Sequence, residues 1–452
     1  MDEENLARRA GILLHVTSLP SGRLDDDALR WVDFMAKAGL SVWQVLPLVI
    51  PDAHGSPYQS PSAFASAPSL LPLHDAPIKP SEFEEYCAQH AYWLDDFALF
   101  EVLKRRFARQ SWVKWPAAYR HRDEKAMREA RAAAESEIAT IKQQQYRIDR
   151  AWRRVREHAN SLGISLFGDT PIFIAHDSAD TWSQPQNFLL DDEGQPTYVA
   201  GVPPDYFAEY GQRWGNPHYR WERMQEDGFA WWIARMQRQF ELFDIVRIDH
   251  FRGLVAVWMI EAGCPTAVDG FWQKTPGDDL LAAIKARFHQ LPIVAEDLGI
   301  ITEEVRQLRR KYHLPGMSVL QFAFDHFADN PHKPANITPD SVAYTGTHDN
   351  DTCVGWFTAL QPHERDFVFQ VLGVPPSDDI AQLMIETALR SRAELAISPL
   401  QDFLALGNEA RMNTPGVTDG NWRWRFSWDM LDETLPEQIR TMITASGRLY
   451  AR

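Results

Sequence analysis

Cysteine is scarce in this chain of 452 residues. Three occur, Cys87, Cys264 and Cys353, widely separated and outside any CxxC or Cys/His ligand spacing. That pattern speaks against a disulfide framework and against a zinc site. Long apolar runs are missing as well. No stretch approaches the roughly 20 apolar residues of a membrane span, and MDEENLARRAG at the start has no basic segment followed by an apolar one. A reducing cytoplasm is the expected compartment, with no membrane partner. Positive charge is also in deficit. A formal net charge of -16 argues against nucleic acid or any other polyanion and suits a neutral or cationic substrate. Neither GxxxxGK(S/T) nor a strand-linked GxGxxG is present to cradle phosphate. No repeat or coiled-coil heptad is visible, and the oligomeric state is not legible.

What is abundant is tryptophan, 17 residues, enough to serve both as core and as platforms for flat ligands. Gly11 to Val16 is a short apolar run ended by TSLPSG, Leu29 to Ala38 carries a helical stripe closed by Gly39, and Ser41 to Leu48 is again strand-like. Strand, helix and strand in this order point to a parallel sheet. Residues 51–80 form a Pro/Ser/Ala-rich loop in which Tyr58 and Phe64 are candidates to cap a site. Residues 83–161 are rich in charge and helix formers and read as a helical insertion without chemistry. The pattern resumes with ISLFGDTPIFI from Ile164, a strand carrying Asp169 just past its end. Residues 175–221 then read as an irregular region that shapes a pocket. Further strands are expected over Asp244 to Phe251, Leu291 to Gly299, Met317 to Phe324, Ser341 to Asp351 and Ile397 to Leu406, with one terminal helix after Phe426. Strands near residues 12, 43, 167, 247, 295, 319, 344 and 398 alternate with helices. Eight such units make a (β/α)8 TIM barrel in a single domain over residues 1–452, with helical and loop insertions and no separate C-terminal β-domain.

In such a barrel, catalytic groups sit at the C-terminal strand ends. Asp169, Asp249, Glu296 and Asp349 then converge on one mouth, beside Arg247 and two histidines. Around DIVRIDHFRGL, Asp244 to Leu254, the chain is at once apolar and charged, and a buried carboxylate is costly unless compensated. Several acids without His or Cys ligand spacing suit acid/base and nucleophilic work on a glycosidic bond. A magnesium site is the competing use of clustered acids, disfavoured by the interleaved Arg and His.

The segments RIDHFRG (Arg247 to Gly253), AEDLG (Ala295 to Gly299) and YTGTHDNDT (Tyr344 to Thr352) closely resemble the signature regions of the 4-alpha-glucanotransferases, the amylomaltase or disproportionating-enzyme family, glycoside hydrolase family 77 of the alpha-amylase clan. GILLHVTSLPSG, SPYQSPSAFA, GDTPIFIAHDSADTW, GVPPDYFAEYGQRWGNPHYRW and LGNEARMNTPG extend the resemblance over nearly the whole barrel. It implies Asp249 as nucleophile, Glu296 as general acid/base and Asp349 as the acid that stabilises the transition state. Arg247 keeps Asp249 ionised in this reading. His348, Asn350, Tyr58, Asp169, His250 and Trp214 surround the sugar, Tyr206 and Phe207 are further stacking candidates, and residues 201–217 cover the site. The implied partners are maltooligosaccharides or other 1,4-alpha-glucans, with no cofactor and no required metal. The implied reaction transfers a glucan segment to another glucan or to glucose by a retaining double displacement. The rivals are a retaining alpha-glucan hydrolase using the same acids and a catalytically impaired glucan-binding protein. The chain departs from the family pattern after TSLP, around IEAG near Ile260, at FASAPSLL and at Glu209-Tyr210, and these departures bear on chain-length preference and on the ratio of transfer to hydrolysis.

Overall fold

Twelve strands are present among the residues that the structure, a computed structural model, describes: 8–204 and 208–450. They are β1 (Arg9–Leu13), β2 (Val42–Gln44), β3 (Ser165–Pro171), β4 (Tyr198–Val202), β5 (Gln212–Pro217), β6 (Ile245–Asp249), β7 (Ala256–Glu261), β8 (Phe271–Lys274), β9 (Ile293–Ala295), β10 (Gly316–Val319), β11 (Ser341–Tyr344) and β12 (Leu395–Pro399). Eight of them pair in the order β10-β11-β12-β1-β2-β3-β6-β9, and every pairing is parallel. The remaining gap between β9 and β10 is bridged by Ala295 N–H to the Pro315 carbonyl at 2.8 Å and by Met317 N–H to Asp297 Oδ1 at 2.8 Å. The result is the (β/α)8 barrel, whose strands are all buried on both faces and so read as continuous apolar runs.

Side chains alternate between the two faces of each strand. Phe167, Val294, Val319, Tyr344 and Ile397 fill the barrel interior, whereas Val246, Ile248, Ile293 and Ala343 belong to the larger core shared with the helices. Tight layer packing shows at Gly168, where an added Cβ would lie 2.2 Å from the Phe243 ring. The helices Pro80–Arg106 and Glu135–Ser161 occupy the span expected to be helical, and buried Arg238 holds Asp149 of the second one at 2.6 and 2.7 Å.

Two expectations are corrected by this architecture. Strand β12 starts at Leu395 and stops at Pro399, where the chain turns into a short helix over Leu400–Phe403, so Ile397 to Leu406 is not one strand. Residues 175–221 are not simply irregular. Strands β4 and β5 lie within them and join β7 and β8 in a four-stranded antiparallel sheet of order β5-β4-β7-β8. Gly201 permits this pairing, since a Cβ there would lie 2.1 Å from the Gln212 carbonyl oxygen.

Candidate active site

Alternation and register together assemble the acids. On β6 the residues Ile245, Arg247 and Asp249 share the inward face, and on β9 Val294 does so, which turns the following Glu296 inward as well. Asp169 lies within β3, not just past its end, and pairs in register with Arg247, while Ile248 pairs with Ala295. Asp249 and Glu296 therefore close adjacent strands. Asp349 arrives differently, on the segment that follows β11, five residues beyond its end at Tyr344.

Arg247 is the hub. Its Nε and Nη2 donate to Asp169 Oδ1 and Oδ2 at 2.9 and 2.6 Å, and Nη2 also lies 3.0 Å from Asp249 Oδ1. Tyr58 caps the array from the 51–80 loop. Its hydroxyl donates to Asp169 Oδ2 at 2.6 Å and accepts from Arg247 Nη2 at 3.2 Å. Burial, reinforced by the charge of Asp169, pushes the Tyr58 phenol well above its ordinary pKa, so it remains a donor. The loop itself is pinned by Ala63 N–H to buried Asp180 at 2.9 Å and by Ser66 N–H to Gln145 at 2.9 Å. Phe64 does not cap the site; it is buried and stacks on Trp93 at 6.2 Å.

Glu296 receives two backbone donors, His250 N–H at 2.7 Å to Oε2 and Leu298 N–H at 3.0 Å to Oε1. His250 points its N–H there from a left-handed conformation, φ 52°, which is uncommon outside glycine and gathers at functional sites. Burial nevertheless dominates and raises the Glu296 carboxyl to about 7, against the pull of Arg247 and of the two N–H groups. Asp249 departs from expectation. Burial pushes its carboxyl well above the usual range although a third of the side chain is open to the cleft; Arg247 pulls the other way, and Asp169, Glu296 and Asp349 add to the push. A guanidinium already shared with Asp169 does not lower Asp249 on balance. Asp249 and Glu296 accordingly titrate as a pair.

The other predicted residues fall around this centre. The His348 ring is buried, stacks on Tyr58 at 5.3 Å and 9°, and places Nε2 3.3 Å from Asp349 Oδ1. Burial lowers its pKa and favours the neutral imidazole. The His250 ring packs edge-on against Trp214 at 4.9 Å, and burial lowers its pKa to about 4. Trp214 is steered by Gln212, which accepts its Nε1–H at 3.1 Å, and β5 is tied to the 51–80 loop by the paired amides of Gln59 and Asn216. Asn350 uses its Oδ1 within the chain, accepting from Thr347 N–H and Oγ1 at 2.9 and 3.0 Å. Tyr206 and Phe207 lie outside the described residues.

Tyr58, Trp214, Arg247, Asp249, His250, Glu296, His348 and Asp349 all line one cleft of about 540 Å³. Gln212, Leu298, Thr347, Asp349 and Pro415 also border an adjoining groove of about 1420 Å³, which Asn350 lines. Among the described residues no group of three or more His, Cys, Asp or Glu side chains is arranged to hold a metal ion. Sequence reasoning missed Asn413 and Arg411. Asn413 Nδ2 donates to Asp349 Oδ1 at 2.6 Å, and Arg411 Nη2 donates to the Asp349 carbonyl at 2.7 Å. The only signal was their place in LGNEARMNTPG, which carried no chemistry of its own.

A family model described as 4-alpha-glucanotransferase matches residues 14–80 and 73–431. The chain is 43% identical to the 4-alpha-glucanotransferase of Thermus thermophilus, with 98% of this chain and 100% of the relative covered. It superposes on the amylomaltase from Streptococcus agalactiae in complex with acarbose with a TM-score of 0.93 at 32% identity, covering 98% of this chain and 99% of that one. The amylomaltase from Corynebacterium glutamicum, 16% identical with a TM-score of 0.80 over 98% of this chain and 75% of that one, shares the fold.

Proposed function

The chain belongs to the 4-alpha-glucanotransferase family, glycoside hydrolase family 77, and from that membership and the site geometry we propose a retaining double displacement on 1,4-alpha-glucans. It is a glucan-transferring enzyme, an amylomaltase by family. The observation that carries the mechanism is the pair of acids on adjacent strand ends, both raised by burial, with Arg247 3.0 Å from Asp249 and Glu296 raised to about 7.

In this proposal the buried pair shares one proton, and the reacting form is the one that carries it on Glu296 and leaves Asp249 ionised beside Arg247, although burial raises both carboxyls. Asp249 attacks the anomeric carbon; Glu296 gives its proton to the glycosidic oxygen, and the reducing-end fragment leaves. The glucosyl ester on Asp249 is then attacked by the 4-hydroxyl of a second glucan or of glucose, whose proton passes to Glu296. Asp349, held by Asn413, and the neutral His348 bind sugar hydroxyls around the reacting centre, and Tyr58 and Trp214 offer aromatic surface. Asp169 and the backbone of His250 act on the reacting acids, while Asn350 orders the turn that carries Asp349. Residues 51–80 and 175–221 shape the site of one barrel domain, and the 83–161 insertion carries no chemistry. No described helix is long and apolar enough to cross a membrane, and the three free cysteines fit the proposed cytoplasmic setting.

Incubation with maltotriose alone tests transfer. The expected result is released glucose together with chains longer than maltotriose. Glucose and maltose without longer chains would assign the protein to hydrolysis instead.

A further inference from the structure

The antiparallel sheet that sequence reasoning missed presents two indoles on one face. Strand β8 is an edge strand with all four residues exposed, and its register sets Trp272 opposite Trp258 and Phe271 opposite Met259. Cross-strand partners share a face and neighbours along a strand do not, so Trp258 and Trp272 stand together while Phe271 looks the other way. The two rings meet edge to face at 5.3 Å.

This face is rigid. Val199, Ile260 and Ala267 form a small buried cluster against which Trp258 packs, and Trp258 Nε1 donates to the Ala267 carbonyl at 2.9 Å. Arg252 lies over one face of Trp272, 4.0 Å from the ring, and its Nη1 donates to the Ile300 carbonyl at 2.8 Å. A cation so placed fixes the ring before any ligand arrives. Trp272 is still 41% exposed and Ile300 71%, so two large apolar side chains stand in water around a fixed guanidinium.

The face also adjoins the site. Leu298, two residues before Ile300, borders both the cleft and the adjoining groove, as does Gln212. Ala267 N–H donates to the carbonyl of Tyr210, two residues before Gln212. The face is thus tied, through Ile300 and through Ala267, to the chain segments that carry two residues of the cleft.

We propose that the Trp258/Trp272 face, with Arg252 and Ile300, is a remote subsite that takes sugar units of a 1,4-alpha-glucan outside the cleft; it rests on the glucanotransferase reading. A pyranose ring has an apolar C–H face that suits a flat indole, and a hydroxyl rim that suits a nearby guanidinium. A second copy of the chain is a poor occupant. Two exposed apolar side chains supply at most a few hundred Å², against the roughly 800 Å² per partner of a stable interface.

Trp272→Ala and Trp272→Phe test the proposal, read by retardation of the native protein in amylose-containing gels, by KM on long amylose and on maltotriose, and by mass from light scattering. The alanine variant is expected to lose roughly three- to tenfold in amylose affinity, the scale of one aromatic contact. Its KM ratio of amylose to maltotriose should rise in step, and phenylalanine should restore part of both. Unchanged retardation and KM ratio would overturn the subsite while leaving transfer on maltotriose intact. An equal KM rise on both substrates, or a change in mass alone, would overturn it too. A wild-type protein that neither extends maltotriose nor is retarded by amylose would remove both the subsite and the reading beneath it.

Discussion

Replacing Arg247 by methionine removes the cation that pairs with both Asp169 and Asp249. The Arg247 side chain is 4% exposed and that of Asp169 0%, and the two are joined by bonds of 2.9 and 2.6 Å, so water cannot take over the role of the guanidinium. Removing one partner of a buried ion pair costs about 3–5 kcal/mol, chiefly because the other charge is left uncompensated. Asp249 loses the one cation that pairs with it among the described residues in the same step, and the push of Asp169, Glu296 and Asp349 on it is then unopposed by Arg247. Turnover is expected to fall by roughly 10²–10³, the scale of one preorganised electrostatic group. The double variant Asp169→Asn/Arg247→Met removes both buried charges and should regain much of the stability without regaining turnover. Guanidinium unfolding followed by tryptophan fluorescence, beside maltotriose turnover, reads both effects. A single variant within about 1 kcal/mol of wild type, the range of an exposed pair, or a double variant no more stable than the single one, would refute the argument.

Four further outcomes rest on the same geometry. Because Glu296 must be protonated to act as acid and is raised to about 7, kcat/KM should fall as pH rises through about 7, and Glu296→Gln should cost roughly 10²–10⁴ in turnover; a profile flat to pH 9 would contradict this. Asn413→Ala removes a hydrogen bond that holds the Asp349 carboxylate and should lower kcat/KM on maltotriose by roughly 10- to 100-fold, the scale of a bond to a charged group, as steady-state kinetics would show. Gly168→Ala drives a methyl into the Phe243 ring and should destabilise the barrel by about 1–3 kcal/mol, measurable by calorimetry, with site kinetics largely kept.

The eight barrel strands were legible because each is a short apolar run buried on both faces and stopped by a polar turn. DIVRIDHFRGL and LPIVAEDLG show this most clearly, since register turns their terminal acids inward beside each other. The antiparallel sheet was not legible. Gly201, Gly215 and Pro217 lie within β4 and β5, and such residues read as loop until a partner strand is known. Pro399 hid the end of β12 inside the apolar run ISPLQDFLAL. At the site, residue types were visible but their balance was not. Arg247 next to Asp249 suggested a lowered carboxyl, yet Asp169 claims the guanidinium through two bonds, and burial outweighs what remains. His250 contributes through its backbone N–H, which depends on a left-handed conformation that a side-chain motif does not encode. Asn413 is one of several polar residues in a loop, and only the fold brings it to Asp349.

The most direct test of the mechanism is to trap the sugar on the enzyme. Glu296→Gln incubated with alpha-glucosyl fluoride no longer needs an acid for the first step, because fluoride leaves readily, but lacks the base for the second. Intact-mass and peptide mass spectrometry should find one glucosyl unit esterified to the peptide containing Asp249, and none on an Asp249→Ala/Glu296→Gln protein. An adduct on another residue, or turnover of the fluoride with no adduct on Asp249, would contradict the account.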